Sequence, residues 1–447
     1  MRIIIVGAGT VGESIARTLC SHHHDVTIID KTPGKLEALN NSLDALVLEG
    51  NGSHASVLFQ ADAMNADLCL ALTNSDEVNL VVASLAKAMG TRRTVARVYA
   101  PLANNLVAFD YCEHFDIDKI ISLEQLTALR LSHEIDQFTE ALNLETYLYG
   151  DIELMEFEIQ DGAKSVGVRI RDLSFPSNVR VGSILRNGVN FIPRADDLLN
   201  PGDQITLFGE HDSLIRTRKN LGGEPPQTKN IIIAGGGETG LHLAQLIQKR
   251  HHVRLLETDL ERCHHLASVL DRNVEVVNID VQCRSALEEE RVGAADVFVA
   301  CTGYDENNLL VCVEAKELGA ERVYSVINRA DYGNVITKLG IDFCVSPREE
   351  AGRKVLNFLN TGAIISNDGI FGDKIRLLEI KVEKGSLVSS TPLRHVGLPP
   401  QCIVVAAVHH GSVSVPGADF TFREGDTAVV ITHNQHLEQV LDKFESR

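Results

Sequence analysis

The sequence lacks any apolar run near the roughly 18 residues that a membrane-crossing helix needs. Its longest runs, such as Cys402–Val408, have the length of a strand. It also lacks a basic excess: 42 Lys and Arg stand against 61 Asp and Glu, a formal net charge of −19. A nucleic-acid binder needs a positive footprint, and docking on anionic lipid needs a polybasic patch, so the charge argues against both classes. The nine cysteines include no Cys-x-x-Cys pair. An odd, unpatterned set fits a reducing cytosol, where most cysteines are small buried hydrophobes. The opening Met1-Arg2-Ile3-Ile4-Ile5-Val6-Gly7 is too short for a signal-peptide core and runs at once into glycines, so no targeting segment is expected.

What is present suffices for several cores. A chain of 447 residues, 44% hydrophobic and 23% charged, is too apolar to be disordered and long enough for two to four domains. Laid on itself at an offset of about 229 residues, it repeats. Ile3-Ile4-Ile5-Val6-Gly7-Ala8-Gly9-Thr10-Val11-Gly12 matches Ile231-Ile232-Ile233-Ala234-Gly235-Gly236-Gly237-Glu238-Thr239-Gly240. Val26–Asp30 matches Val253–Glu257, Ala71–Leu80 matches Ala300–Leu309, and Pro201-Gly202-Asp203 matches Glu424-Gly425-Asp426. Four matches in one order indicate a duplicated unit. Gly222-Gly223-Glu224-Pro225-Pro226-Gln227 reads as the linker, because glycines loosen the chain and Pro-Pro cannot continue a helix. Cleavage at 222–228 is expected to leave two folded halves.

Each half divides again. In residues 1–135 the apolar runs Ile3–Val6, Val26–Ile29, Ala45–Leu48, Leu68–Leu72, Val95–Val98 and Lys119–Ile121 alternate with helical stretches. The runs are continuous in polarity, as central strands of a parallel sheet covered on both faces should be. Val11, Ile15 and Leu19 share one face of the first helix. Six such units make a Rossmann-like, doubly wound parallel sheet. Met155–Ile159 and Gln204–Phe208 instead alternate apolar and polar residues, the mark of half-exposed strands. Leu378–Val382 and Thr427–Ile431 take their places in the second half. The expected division is a doubly wound domain over 1–135, a small α+β domain over 136–222, a second doubly wound domain over 229–350 and a second small domain over 351–447.

Gly7-x-Gly9-x-x-Gly12 ends a strand and opens a helix. The first glycine permits the turn, the second lets backbone approach a pyrophosphate, and the third lets helix and strand pack closely. The helix N-terminus offers unpaired N–H groups to phosphate. Asp30 ends the next strand, where an acid accepts from ribose hydroxyls and repels a 2′-phosphate, which favours NAD over NADP; Lys31 alongside weakens that exclusion. Gly235-x-Gly237-x-x-Gly240 and Glu257 repeat the set, either as a second nucleotide site or as glycines kept for packing alone. Thr73-Asn74-Ser75-Asp76-Glu77 follows the fourth strand, at the edge where open α/β sheets bind ligands. It also suits a helix start with Thr73 as N-cap. Asn51 and Asp280 sit at the same edge, as candidates for the adenine side of a nucleotide. Arg97 falls inside an apolar run, where a guanidinium needs a partner, either a ligand phosphate or an internal carboxylate. Its counterpart is Val326, so the two sites are expected to differ, the first favouring ligands with a terminal phosphate such as ATP. Histidines 22–24 and 251–252 suggest a metal, but neighbouring residues point apart and helix ends often carry basic residues, so no metal site is expected.

As an ordered set, Ile4-Ile5-Val6-Gly7-Ala8-Gly9, Gly50-Asn51-Gly52-Ser53-His54, Thr73-Asn74-Ser75-Asp76-Glu77, Ala96-Arg97-Val98 and Val345-Ser346-Pro347 resemble the double RCK (KTN plus C-terminal) family of Trk-type potassium uptake systems, over essentially the whole chain. The resemblance implies a non-enzymatic regulatory subunit on the cytoplasmic face of a bacterial membrane. It implies a separate potassium-translocating membrane partner, assembly into a homo-oligomeric ring (dimer or tetramer), and binding of NAD(H) with ATP or ADP as competing ligands. The implied contacts are Gly7, Ala8, Gly9, Thr10, Val11, Asp30, Thr73, Asn74 and Arg97, then Gly235, Gly236, Gly237, Glu238, Thr239 and Glu257. Thr302-Gly303-Tyr304 departs from the family's threonine–asparagine edge, which puts contact at Thr302 in doubt. The alternative class is an NAD-dependent dehydrogenase. It would need a proton donor and a carboxylate-binding arginine on a substrate domain, and neither small domain offers an obvious set.

Overall fold

The computed structural model describes residues 1–99, 109–138, 145–147, 152–222, 228–329, 336–359, 364–370, 375–409 and 412–445; linker residues 223–227 lie outside them. The first sheet consists of β1 (Arg2–Val6), β2 (Asp25–Asp30), β3 (Leu46–Glu49), β4 (Leu68–Ala71), β5 (Arg93–Arg97) and β6 (Lys119–Ile121). Its order is β3-β2-β1-β4-β5-β6 and all its pairings are parallel, the doubly wound arrangement with a switch point between β1 and β4. Ile3, Ile4 and Ile5 are buried on both faces of β1, which is why that run does not alternate. Val11, Ile15 and Leu19 are buried on the helix Thr10–Ser21. The second sheet, Asn230–Ala234, His252–Glu257, Glu275–Asn278, Val297–Ala300, Arg322–Val326 and Phe343–Val345, repeats the order. The two remaining sheets are five-stranded and antiparallel, one over Glu145–Gly209 and one over Ile364–His433.

The compact units cut across the repeat. One joins Met1–Ile135 to Thr228–Leu356, and the other joins Asp136–Gln227 to Asn357–Arg447. Within the first unit, Arg250 Nη2 donates to Ser132 Oγ at 3.1 Å, and the Arg130 guanidinium lies 5.1 Å from the Phe343 ring centroid. Ser132 and Arg130 belong to the helix Leu123–Phe138 that closes the first sheet.

Within the second unit the two small domains share one core. Leu154, Ile192 and Phe208 pack with Ile375, Leu377, Val405, Val429 and Ile431. The sheets approach so closely that a Cβ on Gly182 would lie 2.4 Å from Phe208 and 2.8 Å from Ile431. Large side chains buried in common are worth about 1.5–3 kcal/mol each. This corrects the expectation of two independently folded halves: severing them uncovers Phe208 and Ile431, both fully buried. Alternation along a strand marks a core-facing side but does not say which domain covers it.

Candidate functional site

The glycine loop leaves β1 with Gly7 at φ +113°, a backbone that only glycine adopts without strain. A Cβ at Gly12 would fall 1.9 Å from the Gly7 carbonyl oxygen, so the third glycine is required by helix–strand contact. A Cβ at Gly9 would meet no atom within 4 Å. The protein's own packing therefore explains two of the three glycines and leaves an open approach over the second. Gly9 is also the N-cap of the helix and provides no side-chain cap. The first-turn N–H groups at Thr10, Val11 and Gly12, which no α-helix start satisfies from within the helix, therefore also lack a side-chain cap at Gly9 and are available to an anion. In the second loop Gly235 has φ +112°, a Cβ on Gly240 would lie 2.0 Å from the Gly235 oxygen, and one on Gly237 would meet nothing within 4 Å. Thr239 occupies the second helical position there, as Val11 does in the first.

Both acids hold their loops. Asp30 Oδ2 accepts the Ala8 N–H at 2.7 Å, and Oδ1 accepts the Thr32 N–H at 2.9 Å. Burial pushes this carboxyl up, but those hydrogen bonds and the nearby Lys35 charge outweigh it and hold the group below its ordinary range. Glu257 accepts the Gly236 N–H at 2.7 Å and the Asp259 N–H at 2.9 Å. A methyl on Gly236 would come within 2.9 Å of the Glu257 carboxylate and 2.5 Å of Leu266, so the alanine of the first loop would fit the second only if those side chains moved.

At the edge beyond β4, Asn79 organises the site. Its Oδ1 accepts from the Thr73 N–H at 2.8 Å and the Thr73 hydroxyl at 2.7 Å. Its Nδ2 donates to the Thr73 carbonyl at 3.0 Å and the Arg97 carbonyl at 2.8 Å. The ends of β4 and β5 are thus stitched by one buried amide. Asn308 does the same for Thr302 and the carbonyl of Val326. Sequence reasoning missed both asparagines. The available signal was a polar residue recurring in both copies on an otherwise apolar helix face. Thr73 is not the N-cap: Ser75 is, accepting the Val78 N–H at 3.3 Å. The Thr73 hydroxyl is already committed to Asn79.

Arg97 is buried at the end of β5, at 8% exposure. Its Nη1 reaches Asn74 Oδ1 at 3.5 Å and its guanidinium lies 4.9 Å from the Tyr99 ring centroid, while Nε has no partner. Among the described residues no carboxylate pairs with it. Glu77 accepts the Ser75 hydroxyl at 2.8 Å and is exposed. Asn51 accepts from the Ser53 N–H at 3.1 Å, and Asp280 from the Gln282 N–H at 2.9 Å, both closing local turns. The structure therefore brings Asp30 to Ala8 and Arg97 to Asn74, while Glu77, Asn51 and Asp280 make local bonds. In the second loop Glu238 pairs with Arg262, a residue not anticipated from sequence although it stands five positions after Glu257 as Lys35 does after Asp30. Among the histidines suggestive of a metal, His22 bonds the Thr18 carbonyl and His251 accepts the Lys229 N–H. No three potential ligands converge among the described residues. No helix among them is long and apolar enough to cross a membrane.

Comparison with known proteins agrees with this architecture. The TrkA-N domain family matches residues 3–122 and 231–347, and the TrkA-C domain family matches residues 154–222 and 377–445. The Trk system potassium uptake protein TrkA homolog 1 of Methanosarcina mazei is 32% identical over 461 residues, covering 100% of both chains. The Trk system potassium uptake protein TrkA of Azorhizobium caulinodans is 30% identical over 460 residues, covering 99% of this chain and 98% of its own. Among solved structures, the GsuK channel bound to NAD superposes with a TM-score of 0.60 at 18% identity, covering 99% of this chain and 78% of that one. The GsuK RCK domain gives 0.58 at 17% identity, covering 99% and 94%. At those identities the likeness concerns the fold. With both domain families matched twice, in the order of the four sheets, and relatives aligned end to end, the chain belongs to the TrkA family of Trk system potassium uptake proteins.

Proposed function

We propose that the chain is a non-enzymatic regulatory subunit whose first glycine loop binds NAD(H), with ATP or ADP competing for the same place. Occupancy would bias the conformation of a homo-oligomeric ring on the inner face of the membrane and so gate a separate potassium-translocating partner. The observation that carries this reading is the pairing of an open approach over Gly9 with a buried Arg97 guanidinium that no carboxylate neutralises among the described residues. A buried cation without an anion is costly, and phosphate oxygens at this sheet edge would repay that cost. The GsuK channel bound to NAD lends support through a shared fold.

A ligand moves an equilibrium only through different affinity for its two states. Driving a gate from mostly closed to mostly open takes about 5.5 kcal/mol in total, so several copies in a ring need to supply about one each. The test is binding by Arg97→Ala. ATP should weaken at least 10-fold more than NADH, and equal losses would reject a terminal-phosphate role for Arg97. Steady consumption of reduced nicotinamide with a candidate substrate would favour the dehydrogenase reading instead. Co-purification with a membrane partner, followed by potassium flux with and without nucleotide, tests the regulatory role itself.

A further inference from the structure

The two glycine loops differ at the side chains bracketing the second glycine. In the second loop Arg262 Nε donates to the Gly236 carbonyl at 2.7 Å, and Nη2 donates to Glu238 Oε1 at 2.9 Å. The guanidinium therefore bridges the residues on either side of Gly237, while the space a Cβ on Gly237 would take stays clear to 4 Å. Both side chains are largely withdrawn from solvent, at 25% and 26% exposure. Glu238 is the first residue of its helix, so a carboxylate stands where a diphosphate would seek free N–H groups. The first loop has Thr10 and Lys35 at the matching positions, both exposed, and among the described residues neither side chain forms such a bridge across Gly9.

We infer that Glu238, held in place by Arg262, closes the second glycine loop to the diphosphate of a dinucleotide, so that each chain carries one nucleotide, in the first loop. This rests on the nucleotide reading of that first loop. Entry of a diphosphate requires Arg262 to leave Glu238 and exposes the phosphates to a like charge a few ångströms away. Close like charges shift equilibria by about one to three powers of ten, so the second loop should bind about 100-fold more weakly than the first. Gly237 retains the space for a ligand, and the ion pair denies access to it.

The test measures NADH stoichiometry on the full chain by equilibrium dialysis. Wild type should bind one equivalent. Gly9→Val, whose Cβ meets no protein atom within 4 Å and whose methyls fill the first approach, should abolish it, and Gly237→Val should leave it intact. The double variant Glu238→Thr with Arg262→Lys rebuilds the first loop's pair and should bind two equivalents. Glu238→Gln, which keeps an acceptor for Arg262 but drops the charge, should tighten the second site at least 10-fold. Two equivalents in wild type, or a single one lost in Gly237→Val and kept in Gly9→Val, overturns the inference. So does one equivalent in both Glu238 variants when their circular dichroism and melting match wild type. No bound NADH in wild type overturns the nucleotide reading beneath it instead.

Discussion

Asn79→Ala isolates the amide that stitches β4 to β5, and its effect can be worked out from the contacts. The substitution removes the acceptor for the Thr73 N–H and the donor to the Arg97 carbonyl, both at 2.8 Å and both at a buried edge. Each abandoned polar group costs about 1–3 kcal/mol, so the local loss should be about 3 kcal/mol. Amide hydrogen exchange reads that loss where it occurs. At about 1.4 kcal/mol per factor of ten, the Thr73 amide should exchange about 100-fold faster. Asn308→Ala should accelerate the Thr302 amide equally, because the network is the same, with Thr302 N–H and the Val326 carbonyl also at 2.8 Å. NADH affinity should fall only in Asn79→Ala, since that amide alone sets the Arg97 backbone. Acceleration below about 5-fold at Thr73 would show that the amide is dispensable and that strand pairing alone holds the edge.

Other outcomes follow from the same geometry. Gly9→Ala should leave melting unchanged yet weaken nucleotide at least 10-fold, whereas Gly12→Ala should destabilise the first sheet by several kcal/mol, because its methyl would meet the Gly7 carbonyl at 1.9 Å; thermal melts and dialysis of both separate the two roles. NADP(H) should bind at least 10-fold more weakly than NAD(H) because Asp30 stays charged, and comparable affinities in titration calorimetry would contradict that. Proteolysis at 222–228 should release halves that stay associated through Phe208 and Ile431, and size-exclusion chromatography resolving two folded monomers would refute the shared core.

The sheets were legible because continuous apolar strands and glycine punctuation are local signals, and Gly7 and Gly12 are demanded by contacts a few residues away. Arg97 was legible as an anomaly, a cation in an apolar run. Other features depended on distance in space. Asn79 meets a carbonyl 18 residues away, and Arg262 reaches back 24 residues to Glu238. Nothing in either neighbourhood announces the partner. The grouping of like domains across the linker was hidden for the same reason: a strand's apolar face is identical whether its own half or the other half covers it. Thr73 was misassigned as a cap because Ser75, two residues on, has an equally suitable hydroxyl, and the choice between them turned on Asn79 claiming the first.

Joining each kind of domain to its own duplicate within one polypeptide turns what would be a homodimer contact into an intramolecular one. In a true twofold dimer every substitution falls on both faces at once. Here Thr10 and Glu238, or Ala8 and Gly236, could diverge singly, so that one partner keeps an architectural duty while its twin specialises. Linkage in one polypeptide frees the paired surfaces from the obligation to remain alike, and any larger assembly built from this chain inherits that inequality in every copy.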